Sequence, residues 1–486
     1  NFTTATDTYN VAVGENAGAA VTTGTANTLI GGLAGDALTD ADRNVAIGYQ
    51  ALSADDLGSR TVAIGAGAAL LQNYASATDS HNTCVGDLAG LYNVTGVKNT
   101  WLGSAAGVGA SGQSNSNNTG VGYNTGLKIT TGVQNTLIGA LAGDALTDAD
   151  YNVALGSAAL SSDTLGNRAT ALGTFALFAQ NFTSATDNYN VAVGYAAGNV
   201  ITTGVQNTLV GGLAGDALTD ADFNTAVGYS ALTSDTLGSR SVAMGTGALG
   251  QQNFTSATNA YNTAVGMSAG GAVTTGTHNT LIGGLAGDAI TDADLNVAIG
   301  YQAMTASTVG SQSVAVGSFA LGSHNVTSDT DTYNTAVGYG AGQAVTTGVQ
   351  NTFVGGLAGD ATDDGADNTA FGYAALSANC GSYNTATGAR ALAAATGTSN
   401  TAIGVDALPG AVTGSNNTAL GGNAGISVTG GGNNTFVGKD AGRTGSPGGA
   451  ITTGSNEIIL GDENVTEAHI QVDWTVASDA RDKTDF

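Results

Sequence analysis

Polar and apolar residues alternate along this chain in very short runs, and one run keeps returning. Its form is Asn, then Thr or Val, a small or apolar residue, an apolar residue and Gly, as in Asn10-Val-Ala-Val-Gly14 and Asn334-Thr-Ala-Val-Gly338. That Gly occurs 26 times between Gly14 and Gly461, usually 17 residues after the last, 16 in places and 21 at regular intervals. Ala follows three residues later (Ala17, Ala34, Ala51, Ala68 and onward), broken only by Thr125 before the pattern lapses near Gly461. A fixed period with small residues at fixed slots predicts one coil per repeat, each backbone stacked on the next. The fold class is therefore all-β: a parallel β-solenoid, of the β-roll or β-helix kind, with about 26 short coils of 16 to 17 residues.

Within a coil, each slot carries its own expectation. Val, Ile, Leu or Met before the Gly (Val13, Ile30, Ile47, Ile64) predicts an apolar column down the core. The Asn four before Gly predicts a ladder of stacked amides, each bonded to the next coil. Gly and Ala allow close approach, and Gly supplies the positive-φ corners. At ~4.8 Å per coil the whole array would be a rod on the order of 120 Å long.

A second period lies above the first. Coil lengths of 17, 17, 17 and 21 make a 72-residue unit, the step from Gly14 to Gly86 and from Gly122 to Gly194, Gly266 and Gly338. Between Gly86 and Gly122 lies a two-coil half unit, and after Gly338 the long coil disappears. The extra residues fall in related loops, 73–79, 181–187, 253–259 and 324–329, expected to project at intervals of roughly 19 Å. Three regions result: a repetitive shaft over 1–445, a terminal coil and transition strands over 446–476, and a segment of different character over 477–486.

Composition narrows the function. Only 10% of residues are charged and 42% are apolar, too hydrophobic for a disordered acidic tail, while 76 Gly interrupt every window long enough for a helix. A formal charge of −26, from 37 acidic and 11 basic residues, argues against nucleic acid or an anionic membrane face as partner. No run of eighteen apolar residues predicts membrane insertion. Cys84 and Cys380 lie far apart in a stack of coils, so no intrachain disulfide is expected. The chain opens at Asn1 in mid-pattern and reads as a piece of something longer.

The sharpest polar motif is the acidic turn Gly35-Asp-Ala-Leu-Thr-Asp-Ala-Asp42. It places Asp36, Asp40 and Asp42 together and returns as Asp144, Asp148 and Asp150, as Asp216, Asp220 and Asp222, and as Asp288, Asp292 and Asp294, with a variant from Asp360 to Asp367. Three carboxylates in seven residues suggest oxygen ligands for calcium, although the spacing is not that of an EF-hand and the closing Glu is lacking. The competing expectation is a structural turn with no cofactor, in which Arg60, Arg168 and Arg240 of the coil above pair with Asp42, Asp150 and Asp222, and Gln312 replaces them over Asp294.

Tyr recurs just after the coil Gly at 49, 123, 195, 229, 301, 339 and 373, either lining a glycan-contacting face or packing on the surface or against neighbouring chains. Trp101 and Trp474 stand alone. Thr pairs such as Thr22 and Thr23 occur about once in four coils, too sparse for an ice-binding face, and read as turns. No phosphate loop or zinc spacing appears, and His81, His278, His324 and His469 occupy unrelated slots. Acid pairs from neighbouring coils could cleave glycan, but every acid belongs to a repeated loop whereas a catalytic site is singular; the chain is not expected to be an enzyme, and a glycan depolymerase is the least favoured reading.

The segment Ser478-Asp-Ala-Arg481-Asp-Lys483 resembles the opening of the intramolecular chaperone domain, of the peptidase S74 type, at the C-terminus of phage tail fibres and tailspikes. The likeness covers about ten residues, and the Asn-Thr-Ala-x-Gly coils also resemble those fibres. They are similar, more loosely, to the β-roll heads of trimeric autotransporter adhesins. The resemblance implies a homotrimeric fibre shaft, extracellular and part of the virion, that supports attachment to a host glycan or receptor. It also implies self-cleavage with Ser478 as nucleophile and the bond to Asp479 as the one cut, against which stands a non-cleaving linker. The alternative setting is a bacterial surface adhesin or extracellular filament subunit. Trimerisation agrees with a physical need, because short Ala-rich coils bury little apolar area per chain.

Overall fold

The computed structural model describes residues 7–410, 412–467 and 469. The chain divides into two compact units, Asn1–Thr332 and Tyr333–Phe486. Each is a parallel β-solenoid, and the described residues contain no helix. The first unit carries eighteen three-residue strands, from Val11–Val13 to Val314–Val316; the second carries eight, from Thr335–Val337 to Ile458–Leu460. Within each unit the strands pair in parallel with the strand one coil on, residue for residue, as Thr28 with Val45 and Val45 with Val62.

Strand alternation decides what is inside, and it corrects one expectation. The residue before the coil Gly does not form the core: Ile30, Leu102, Leu155, Met244 and Ile282 face outward and are each more than a third exposed. The middle residue of the strand is buried instead, as Leu29, Ala46, Ala63, Cys84, Trp101 and Leu137 are. Successive strand residues point to opposite faces, so the inward parity belongs to the Asn and to the residue two after it. Because that residue is usually Ala, two coil walls approach closely.

The Asn column also works differently from a simple amide ladder. Asn27 accepts the N–H of Asn44 on Oδ1 at 2.9 Å and donates from Nδ2 to the Ala41 carbonyl at 2.8 Å. Asn44 repeats the pattern onto Thr61 and Gly58 at 2.8 and 2.9 Å. Both halves of the amide thus staple the backbone of the next coil, satisfying groups that the tight turn leaves without a ladder partner. Amide-to-amide contacts, such as Asn135 to Asn118 at 3.1 Å, are secondary. In the second unit the column runs from Asn334 to Asn434 and closes on the backbone of Glu457.

The coil Gly is required twice over. Gly31 has φ 133°, and a Cβ there would stand 2.5 Å from the Gly48 carbonyl oxygen. Four residues on, Gly supplies a second left-handed corner in many coils, as Gly18 at 61° and Gly35 at 55° do, but it does not supply the third. The residue five before each coil Gly has positive φ and is never Gly: Arg43 sits at 59°, Tyr151 at 60° and Arg240 at 64°. Each such residue costs about 1–2 kcal/mol in isolation and is held by the surrounding coils, Arg43 donating its N–H to the Thr25 carbonyl at 3.0 Å.

The four long coils of the first unit use their extra residues to start a second, two-residue parallel ladder. Gly58–Ser59 pairs with Thr78–Asp79, and the same pairing recurs for Gly166–Asn167, Gly238–Ser239 and Gly310–Ser311. Tyr74, Phe182, Phe254 and Val326 tuck inward and anchor each loop, leaving small residues such as Ala75, Ser76 and Ala77 exposed.

Candidate functional site

The acidic turns do not gather their carboxylates. Asp36 accepts from Ser53 Oγ of the following coil at 2.5 Å, whereas Asp40 accepts from Thr23 Oγ1 of the preceding coil. Asp42 takes the backbone N–H and the hydroxyl of Thr25 at 2.6 and 2.8 Å. In the second copy Asp144, Asp148 and Asp150 turn to Ser161, Thr131 and the Val133 N–H, and in the third Asp216, Asp220 and Asp222 turn to Thr233, Thr203 and the Val205 N–H. The fourth differs at one position: Asp288 and Asp294 bond Thr305 and Thr277, but Asp292 bonds its neighbour Thr291. Among the described residues no group of three or more His, Cys, Asp or Glu is placed to hold a metal ion. The arrangement suits the turns to latching three coils together.

The arginines above these turns are in the expected register but reach elsewhere. The Arg60 N–H donates to the Asp42 carbonyl at 3.0 Å, while its guanidinium pairs with Asp79 at 2.9 Å. Arg168 likewise pairs with Asp187 at 3.0 Å, which holds that guanidinium above its ordinary range, and Arg240 donates to Asn259 at 3.1 Å. The physical reason is that the Asp42 carboxylate is already turned back onto Thr25, leaving the loop carboxylate one coil on as the open acceptor.

The tyrosines after the coil Gly are all half-exposed or more, and several lie against a Gly of the preceding coil. A Cβ at Gly32 would stand 3.6 Å from the Tyr49 ring, and Gly212 and Gly284 receive Tyr229 and Tyr301 in the same way. Trp101 is fully buried and offers no platform. Its ring fills the inward slot because Gly120 occupies that slot one coil on, where any Cβ would overlap it. Cys84 and Cys380 are buried and free, and burial pushes the Cys84 thiol up to about 12. His469 sits exposed beside Glu467. Ser478, Asp479 and Trp474 lie outside the described residues.

Two columns escape a reading keyed to residue identity. One is internal: seven residues after the coil Gly, each 72-residue unit places two apolar residues and then a polar pair. Gln72 donates to Asp55 at 2.6 Å and accepts from Asn82 at 2.9 Å, with all three buried; Asp163, Gln180 and Asn190 repeat this, as do Asp235, Gln252 and Asn262. Burial raises the Asp55 and Asp163 carboxyls, which the bonds from Gln72 and Gln180 partly offset. In the fourth copy the pair is Ser307 and His324. The other column is external, at the left-handed slot five residues before the coil Gly. There Arg168 lies 4.7 Å from the Tyr151 ring centre and 6.0 Å from that of Tyr189, and Arg240 lies 4.5 Å from Phe223 and 5.9 Å from Tyr261. The signal for both was the column itself, read down the repeats.

No protein-family model matches the chain, and no curated protein matches it. The fold that the structure shows, a stack of some 25 parallel coils, is compatible with a fibre shaft.

Proposed function

We propose that the chain is the structural shaft of a bacteriophage tail fibre, extracellular and homotrimeric, supporting attachment to the host surface. The observation that carries this reading is the outward face of the main strands. In nearly every coil the residue before Gly is Ile, Val, Leu or Met, so an apolar stripe runs along each unit, from Ile30 to Ile282 in the first and through Phe371, Ile403 and Leu420 in the second, where Thr387 interrupts it once. Apolar surface of that extent marks an interaction face. Its strict repetition suits a second and third copy of the same chain laid alongside in register, each closing the others' stripe in cyclic symmetry. The likeness of the coils and of residues 478–483 to tail fibres supplies the setting. The alternative, a bacterial surface adhesin or filament subunit, draws on the looser likeness of the coils to adhesin heads.

The deciding measurement is the molar mass of the purified chain by light scattering. Three times the chain mass is expected, and Ile282→Lys together with Ile30→Lys should lower it; a monomer would overturn the trimer. Immunogold labelling of virion tails rather than cell envelopes separates the two settings.

A further inference from the structure

The external column five residues before the coil Gly is chemically segregated from the rest of this acidic chain. In the eighteen coils of the first unit that slot holds five of the chain's 11 Lys and Arg residues, Arg43, Arg60, Lys98, Arg168 and Arg240. It holds no Asp or Glu, although the chain has 37. The residues between these cations are largely aromatic, amide or imidazole, and every one from Tyr9 to Leu295 is exposed. In the second unit the slot carries no cation, and Asp367 occupies it once.

These side chains are ordered against one another. Arg168 lies between Tyr151 and Tyr189, and Arg240 between Phe223 and Tyr261, with the Tyr261 and His278 rings 5.2 Å apart. Stacking holds each guanidinium plane and leaves its edge to donate. Asp79 and Asp187 occupy two of the guanidinium groups, but the third loop has Asn259 where the others have Asp, so Arg240 keeps its charge uncompensated. Arg43, one coil before the paired Arg60, has no ion-pair partner among the described residues and is open to an external anion.

We propose that this stripe binds an acidic polysaccharide, a chain of uronic-acid type, laid along the solenoid axis. The proposal deepens the attachment half of the proposed function and rests on it. A stripe one residue wide and many coils long fits a linear polymer better than the broad face of a globular partner. The coil step of ~4.8 Å is close to the length of one sugar unit in an extended chain. Aromatic rings take the apolar faces of the sugars, the amides and guanidinium edges take hydroxyls, and Arg43, Lys98 and Arg240 take carboxylates. Carboxylates spaced one to a sugar also suit a protein whose total charge of −26 repels the denser phosphates of nucleic acid.

The test uses the full chain and a polygalacturonate oligomer in fluorescence-polarisation or calorimetric binding, beside neutral dextran and a thymidine oligonucleotide. The variant is Phe223→Asn, Arg240→Asn and Tyr261→Asn combined. Asn keeps the left-handed backbone, since Asn117 already fills this slot at φ 60°. Binding to polygalacturonate that weakens with salt, and by at least about tenfold in the variant at unchanged molar mass, is expected. Unaltered binding in the variant overturns the stripe as the site while leaving glycan attachment standing. Equal binding of dextran overturns the acidic class, preference for the oligonucleotide overturns glycan, and a changed molar mass makes the stripe a contact between copies. No binding to any probe overturns the proposal, and the molar mass of the unmodified chain still decides the shaft.

Discussion

The first three long coils and the fourth solve the same interior problem with different residues. In the first three, a buried Asp and Gln close a network. Asp235 takes the Gly238 and Phe254 N–H groups at 3.0 and 3.2 Å and the Gln252 amide at 2.5 Å, and Gln252 passes the chain of bonds on to Asn262. In the fourth, Ser307 and His324 are as deeply buried, yet Ser307 Oγ and both His324 ring nitrogens have no partner. A buried polar group costs little when its bonds are complete and about 1–3 kcal/mol when they are not. The difference teaches that buried polar residues at the centre of a thin solenoid are costly where their network is incomplete, and that the fourth copy is where local opening should be easiest.

The largest effect should come from breaking a complete network. Gln252→Leu leaves Asp235 and Asn262 buried without the amide that bonds them both, at a cost of about 3–4 kcal/mol. Coils open locally, so the readout is amide hydrogen exchange in Val242–Met244 and Thr263–Val265, where protection should fall by roughly two to three orders of magnitude. A loss below tenfold would show that the network is incidental.

Acid should then make the copies behave differently. Burial lowers His324 to about 4 from an ordinary value of 6.5, so its stabilising contribution is complete above pH 6.5 and is lost as pH falls toward 4, on the order of 3 kcal/mol in all. Asp55 and Asp163 have the opposite sign: burial raises them, so their contribution is full below the ordinary carboxylate value and declines as pH rises through the folded one. Exchange protection corrected for intrinsic rate should therefore fall between pH 7 and 4 at Val314–Val316 and hold or rise at Val62–Ile64 and Thr170–Leu172. His324→Gln should abolish the fall, and parallel behaviour of all copies would refute the contrast.

The coil period, the parallel strands and the place of the long coils were legible because each depends on a residue type that recurs at a fixed slot. The side of the strand that faces inward was not. Bulky Ile30 and Ile47 looked like core and Ala46 like a thin place, but parity ties the interior to Asn44, and Ala46 shares it. The acidic turns looked like one site because Asp36, Asp40 and Asp42 are close in sequence, whereas the fold sends them to coils on opposite sides. The polar pairs and the cationic stripe were present in the sequence only as columns whose residues change together or vary in type. The change from Asp235 and Gln252 to Ser307 and His324, 72 residues on, is visible once the slots are aligned.

That joint change gives the smallest and most discriminating prediction. Ser307→Asp and His324→Gln together would restore in the fourth copy the pair that serves the other three, with Gly310 already in the place of Gly238 to offer its N–H. Completing the network should add about 1–2 kcal/mol to the local stability read at Val314–Val316. The single changes should not share that gain equally. Ser307→Asp alone sets a carboxylate beside His324, whose ring N–H can donate to it, so this change should recover part of the gain. His324→Gln alone brings an amide that finds only the Ser307 hydroxyl and no carboxylate, so that change should be neutral or destabilising. The coupling, measured as the double-mutant difference, is the quantity that matters. Additive single effects would mean that Ser307 and His324 are independent tolerated substitutions, and that the contrast between the copies lies in burial alone and not in the completeness of the network.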